Sequence, residues 1–319
     1  MAAPTDRPTG APVAAHAEGA PCWADAMVPD LAAAQRFYGE LFGWTFGTPA
    51  GAAPGSYSPA HLGGRQAAAL TQKTDGRMPT VWTVYLATPD AEATAERVRA
   101  AGGQVISEPR AVGAGPAGVM AVAADPGGAV FGLWEPTVHH GFEVRAEPGA
   151  YVWTDLYTRH PREVDAFYPE VFGYQELAQE QLRERNAARP DAAEAGDTGG
   201  AEAGDTGGAE AGAAAPEMVV WTPRGAAVDE EHAVLARCLI EADAPAALPA
   251  YFLPYFAVRD VDAAVETARR LGGRVTREAE TGPYGRWAVL ADNQGATFAV
   301  LDLSEAKPPS VRPPPPDGR

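Results

Sequence analysis

Cysteine is nearly absent: Cys22 and Cys238 are the only two in 319 residues. They fall at non-equivalent places in the two halves of the chain, which argues against a structural disulfide and fits reduced thiols in a cytoplasmic setting. No run of about 18 apolar residues occurs, which argues against a membrane-spanning helix. Basic residues are outnumbered, 25 Lys and Arg against 42 Asp and Glu, for a formal net charge of −17. That balance argues against nucleic acid and anionic lipid as partners, since their phosphates would be repelled. The N-terminal stretch MAAPTDRPTGAPVAAHAEGAP is broken by prolines and has no apolar core, so it does not read as a secretory signal. Together with the Pro-rich end KPPSVRPPPPDGR it is expected to be disordered. Ser58, Ser107 and Ser304 lack any nucleophile-elbow context, and AGGQV and LGGRV lack dinucleotide-binding glycine spacing.

The chain is rich instead in self-similarity. CWADAMVPDLAAAQRFYGELFGW, from Cys22 to Trp44, returns as VWTDLYTRHPREVDAFYPEVFGY, from Val152 to Tyr174. Trp23, Asp25, Phe37, Tyr38, Phe42 and Gly43 recur as Trp153, Asp155, Phe167, Tyr168, Phe172 and Gly173. DAEATAERVRAAGGQV (from Asp90) matches DVDAAVETARRLGGRV (from Asp260), and AVAADPGGAVFGLW (from Ala121) matches AVLADNQGATFAVL (from Ala288). The spacing widens between the first and second helices of the second copy, where AEAGDTGGAEAGDTGGAEAG lies. With no apolar side chain larger than Ala, that segment cannot offset its ordering entropy and is expected to be a disordered surface loop. Within each copy the pattern is strand, amphipathic helix, then short strands, twice over. The expected class is α+β with mainly antiparallel sheet.

A doubled βαβββ module, a helix ending FYxxLFGW and a closing strand after DPxGxxF resemble the vicinal oxygen chelate superfamily, which includes glyoxalase I, bleomycin-resistance proteins and extradiol dioxygenases. The Trp-x-Asp first strand, WTVY and GLWEP resemble its tandem two-domain subgroup. The resemblance implies two tandem domains, each a pair of βαβββ modules forming an open half-barrel cleft. The expected organisation is a tail over 1–17, a first domain over 18–137 and a linker over 138–148. A second domain follows over 149–303 with an insertion at 187–216, then a Pro-rich tail over 304–319. Metal-dependent members carry His or Glu on the first, fifth and eighth strands, where an open metal site acts as a Lewis acid. Those positions fall here on Trp23, at or beside Thr83, and on Gly132; in the second copy they fall on Trp153, Leu253 and Ala299. None of these is a metal donor, so no metal and no other cofactor is expected. The six histidines are expected in exposed loops, and adjacent His139 and His140 point to opposite sides of an extended chain.

Strand alternation assigns the residues that share the vacated face. In the first domain these are Trp23, Asp25, Met27, Thr83, Tyr85, Gly132 and Trp134; in the second, Trp153, Asp155, Tyr157 and Tyr255. GPYGRW is expected to bring Tyr284 and Arg286 to the second cleft's mouth. Aromatic walls facing Gly or Ala suit a flat or bulky organic molecule, unless the aromatics collapse on one another. The first cleft, with Gly132 beside Trp134, is expected to be the roomier. Asp25 and Asp155 read either as acid/base or ligand-anchoring carboxylates with raised pKa, or as structural acceptors of hydrogen bonds from backbone or from a loop Arg, with Arg65 and Arg286 the candidates. Two functions remain open. One is metal-independent binding of a hydrophobic or aromatic small molecule for resistance or sequestration. The other is a metal-independent lyase, isomerase or cyclase acting on a carbonyl or polyketide-like substrate. A small molecule is the expected partner, and a monomer or homodimer the expected state.

Overall fold

A computed structural model describes residues 16–47, 56–113, 117–178, 218–282 and 284–305. The insertion expected at 187–216 lies outside them, as do residues 1–15 and 306–319 of the two expected tails. The first domain runs β1 (Pro21–Val28), α1 (Leu31–Phe42), β2 (Thr45–Phe46), β3 (Tyr57–Leu62), β4 (Arg65–Gln72), β5 (Val81–Ala87), α2 (Ala91–Ala100), β6 (Gln104–Val112), β7 (Gly118–Ala124) and β8 (Val130–Pro136). The second repeats it as β9 (Tyr151–Thr158), α3 (Pro161–Phe172), β10 (Gln175–Glu176), β11 (Met218–Thr222), β12 (Leu235–Leu239), β13 (Tyr251–Val258), α4 (Val261–Arg270), β14 (Arg274–Gly282), β15 (Gly285–Ala291) and β16 (Thr297–Asp302). Each domain is one unclosed 8-stranded sheet, ordered β2-β3-β4-β1-β5-β8-β7-β6 and β10-β11-β12-β9-β13-β16-β15-β14. The pairings β1 with β4 and β5 with β8 are parallel, as are their repeats, and the rest are antiparallel.

The local chemistry explains where α1 starts and stops. Asp30 caps it by accepting the Ala33 N–H at 2.9 Å, and Gly43 ends it at φ 73°, a left-handed conformation that costs glycine nothing. Its buried residues Leu31, Ala34, Phe37, Tyr38 and Phe42 form one apolar stripe. The stripe does not serve its own sheet alone. Phe37 packs edge-on to Phe298 and Phe42 on Phe256, both in the second domain, with centroids 6.4 and 5.1 Å apart. Conversely Phe167 and Phe172 of α3 pack on Phe131 of the first domain, each at 6.3 Å. The phenylalanines of each first helix therefore pack on strand phenylalanines of the other domain.

Two matching hydrogen bonds tie the cross-packing. Tyr38 of α1 donates to Asp292 at 2.9 Å, and Tyr168 of α3 donates to Asp125 at 3.2 Å. Each aspartate also accepts a backbone N–H of its own turn, from Ala296 and Ala129. The helix-bearing faces of the two sheets thus share their cores, and the opposite, concave faces carry the Trp-x-Asp strands.

Candidate functional site on the concave faces

On the first concave face, β1 and β5 bring Trp23 opposite Tyr85 and Asp25 opposite Thr83, while β8 sets Gly132 beside Tyr85. Tyr85 donates to Asp25 Oδ2 at 3.1 Å and also leans on the Met120 sulfur at 3.7 Å. Trp23 donates its indole N–H to the Tyr57 hydroxyl at 2.8 Å. Burial pushes the Asp25 carboxyl up to about 7, with the Tyr85 hydrogen bond pulling the other way. The same burial and the neighbouring Asp25 raise the Tyr85 phenol well above its usual range.

The repeat is built alike with one difference. Asp155 Oδ2 accepts from Tyr255 at 2.7 Å, and Oδ1 accepts from Trp153 at 2.8 Å. Burial raises Asp155 to about 6, opposed by those two donors. Around this pair stand Tyr157 stacked on Tyr251, 5.1 Å apart and 10° from parallel, and Trp287 with the Arg277 guanidinium 4.7 Å above its ring.

The expectation that the first cleft is the roomier is overturned. A Cβ at position 132 would lie 2.0 Å from Tyr85 Cδ1, so the Tyr85 ring itself fills the space above Gly132. Trp23 and Trp134 are only 3% and 5% exposed. His139 packs edge-on against both, at 4.4 and 5.4 Å, and Phe142 closes on Trp23 at 5.5 Å. Trp134 is further fixed by donating to the His139 carbonyl at 2.8 Å. That end of the first face is plugged. Its other end, where Met27, Thr83 and the half-exposed Tyr57 stand, remains accessible. In the second domain Trp153, Tyr157, Tyr251 and Trp287 are all partly exposed, making the wider aromatic shelf.

Two arginine assignments are also corrected. Arg65 pairs with Glu147, not Asp25. Arg286 lies on the helix side of β15 and pairs with Asp262 at 2.8 Å. The alternation of β15 explains the error, because Trp287 rather than Arg286 shares the face of Tyr255 and Leu301. Tyr284, 40% exposed, stays in the turn before β15. His16 and His139 are not exposed loop residues: both are half-buried, each Nε2 is enclosed without a partner among the described residues, and burial lowers both pKa values.

Tyr251, Trp287 and Tyr57 were missed, though the first two had a signal in the sequence. Tyr251 extends the Leu253–Tyr255 alternation, Trp287 alternates with Val289, and Tyr57 lies in a strand whose faces periodicity alone left unassigned. Among the described residues no three His, Cys, Asp or Glu side chains converge in a metal-binding group. The family's metal positions do not fit a metal either: the Tyr85 ring covers Gly132, and the Trp23 indole is bonded to Tyr57.

Comparison with known proteins supplies the lineage. Residues 23–134 match the family model of a glyoxalase-like domain, and residues 152–300 match that of the glyoxalase/bleomycin resistance protein/dioxygenase superfamily. The chain is 35% identical over 306 residues to the anthracycline biosynthesis protein DnrV of Streptomyces peucetius, covering 92% of this chain and 96% of that one. It is 33% identical over 291 residues to "Putative glyoxylase CFP32" of Mycobacterium tuberculosis, covering 90% and 95%. Its fold is similar to that of the Mn(II)-bound glyoxalase from Novosphingobium aromaticivorans, with a TM-score of 0.54 at 15% identity over 90% of this chain and 83% of that one. With two matched domains and relatives aligned along nearly their full length, the chain belongs to the glyoxalase/bleomycin resistance protein/dioxygenase superfamily, as a tandem two-domain member.

Proposed function

We propose that this protein binds a flat, largely apolar organic molecule on its concave faces without a protein-bound metal, in sequestration or resistance. The observation that carries the reading is the pairing of aromatic walls with a buried carboxyl–tyrosine couple where other members hold metal ligands. Stacking on Trp153, Tyr157, Tyr251 and Trp287 supplies area, and the carboxyl orients a polar edge. The name of the Streptomyces relative supports a fused-ring ligand, since an anthracycline is a flat polycyclic quinone.

A second reading, a metal-independent lyase, isomerase or cyclase on a carbonyl or polyketide-like substrate, is favoured by Asp25. A carboxyl held near 7 can both take and give a proton at neutral pH. Titrating tryptophan fluorescence with fused-ring quinones tests binding, and turnover assays on polyketide-like carbonyl substrates test the second reading. Saturable quenching is expected. Its absence across such a panel would remove the binding reading. About one transition metal per chain by elemental analysis, with binding lost to a chelator, would remove metal independence.

A further inference from the structure

The two copies differ at one place that sets their carboxylates apart. Along the strands, Tyr57 stands across from Thr71, which stands beside Met27; in the repeat, Met218 stands across from Cys238, which stands beside Tyr157. Met218 therefore occupies the position of Tyr57. A thioether is a poor acceptor for an indole N–H, whereas a phenol oxygen is a good one. Accordingly Trp23 gives its N–H to Tyr57, and Trp153 gives its N–H to its own strand's Asp155. Asp155 has both oxygens engaged; Asp25 has Tyr85 on Oδ2 as its sole donor among the described residues.

We propose that Asp25 Oδ1 is the anchoring point for a hydroxyl-bearing ligand entering at the Met27–Thr83–Tyr57 end, and that Tyr57 is the positioning residue that keeps Trp23 away from it. The ligand's O–H takes the place that the Trp153 N–H holds in the second domain. The inference rests on the reading that the concave faces receive a small molecule. It adds which face discriminates polar groups, and for which class: alcohols and enols rather than bare hydrocarbons or ethers.

The groups facing Asp25 are few. Tyr85 on β5 is held neutral by burial; Tyr57 on β3 has a half-exposed ring, but enclosure of its hydroxyl and the Asp25 charge raise its phenol, and the Arg110 charge from β6 is felt at Tyr85; Met120 on β7 and Thr83 are uncharged. His139 touches Trp23 rather than the carboxyl. A ligand donor on Oδ1 favours the ionised form, so binding releases a proton. Affinity then rises with pH toward the free carboxyl's value near 7 and levels off above it.

Two measurements test this, one without any ligand. Carboxyl-carbon NMR titration of the free protein reads both aspartates. Tyr57→Met, or the milder Tyr57→Phe, should release Trp23 onto Asp25 and move its titration down toward that of Asp155, which itself stays put. An unmoved Asp25 in both folded variants overturns the proposal, whatever binds. The second measurement titrates hydroxymethylanthraquinone and methylanthraquinone, neither of which ionises in the range used. The hydroxyl should give an advantage of about tenfold or more at pH 8. That advantage should shrink toward pH 6 and vanish in Asp25→Asn. Equal affinities at pH 8, or an advantage that survives in Asp25→Asn, overturn the proposal. Failure of both probes to bind, with the NMR shift present, counts against the ligand reading and leaves the Trp23–Tyr57 switch standing.

Discussion

Gly132→Ala is the smallest change that reaches the first carboxyl–tyrosine pair. The added Cβ would sit 2.0, 2.4 and 2.6 Å from three atoms of the Tyr85 ring. No van der Waals contact survives at those distances, so the ring must slide or the strands must part. Overpacking of this kind costs about 1–3 kcal/mol, and loss of the Tyr85–Asp25 hydrogen bond adds roughly 1.5–3 if the hydroxyl is displaced. The two effects share one movement, so a net cost of about 2–4 kcal/mol is expected. Thermal unfolding followed by circular dichroism should show a fall on the order of 5–12 °C. Because the Tyr85 donor lowers the Asp25 pKa, its displacement should move that titration further up from about 7. The second domain supplies the contrast: Ala299 already lies beside Tyr255, which still donates to Asp155 at 2.7 Å. Ala299→Gly should therefore cost no more than about 1 kcal/mol. A Gly132→Ala protein melting within about a degree of the parent, with Asp25 titrating unchanged, would refute the packing argument.

Burial holds Asp25 near 7 and Asp155 near 6, both above the unfolded value of about 3.9, so the native state keeps protons that the unfolded state releases. The stability these carboxyls contribute is full below about pH 4 and is lost as pH rises through 6 and 7, by at most about 3–4 kcal/mol each. Urea unfolding of the parent and of Asp25→Asn at pH 5 and pH 8 should show the variant gaining relative stability at the higher pH; the opposite trend would count against a raised carboxyl. Tyr38→Phe and Tyr168→Phe each leave a buried aspartate short of a donor and should cost about 1–3 kcal/mol, read by the same unfolding assay. Elemental analysis of purified protein is expected to find no stoichiometric zinc, nickel, iron or manganese, because Trp23, Thr83 and Gly132 stand at the donor positions.

The duplicated α+β plan was legible because period-2 and period-3.6 patterns each occurred twice at matching positions, and Asp30 and Gly43 marked a helix at both ends. The shared face of Trp23, Asp25 and Tyr85 was legible for the same reason: alternation fixes which side chains stand together. What alternation does not fix is the distance between faces or the identity of a helix's partner. Phe37 stands on the apolar stripe of an amphipathic helix, yet nothing in its spacing says that its partner is Phe298 of the other domain. Gly132 was read as space because an absent side chain looks like room in a sequence; the Tyr85 ring takes that room only in three dimensions. His139 was placed in solvent because linker residues usually are, and its packing on Trp23 depends on the linker's path.

The crossed helices have a consequence for descent as well as for stability. Each half offers its first helix to the other's sheet, so a single copy could complete such a core only by pairing with an identical one. In a pair of identical chains every substitution appears twice: a tyrosine that frees one carboxyl would free both, and a residue that seals one cleft would seal its twin. Joining the copies in one chain removes that constraint while keeping the mutual packing. Tyr57 where the repeat has Met218, Gly132 where it has Ala299, and a plugged Trp23 where it has a partly exposed Trp153 are differences that a fused pair can accumulate. Each cleft is thereby free to change without the other.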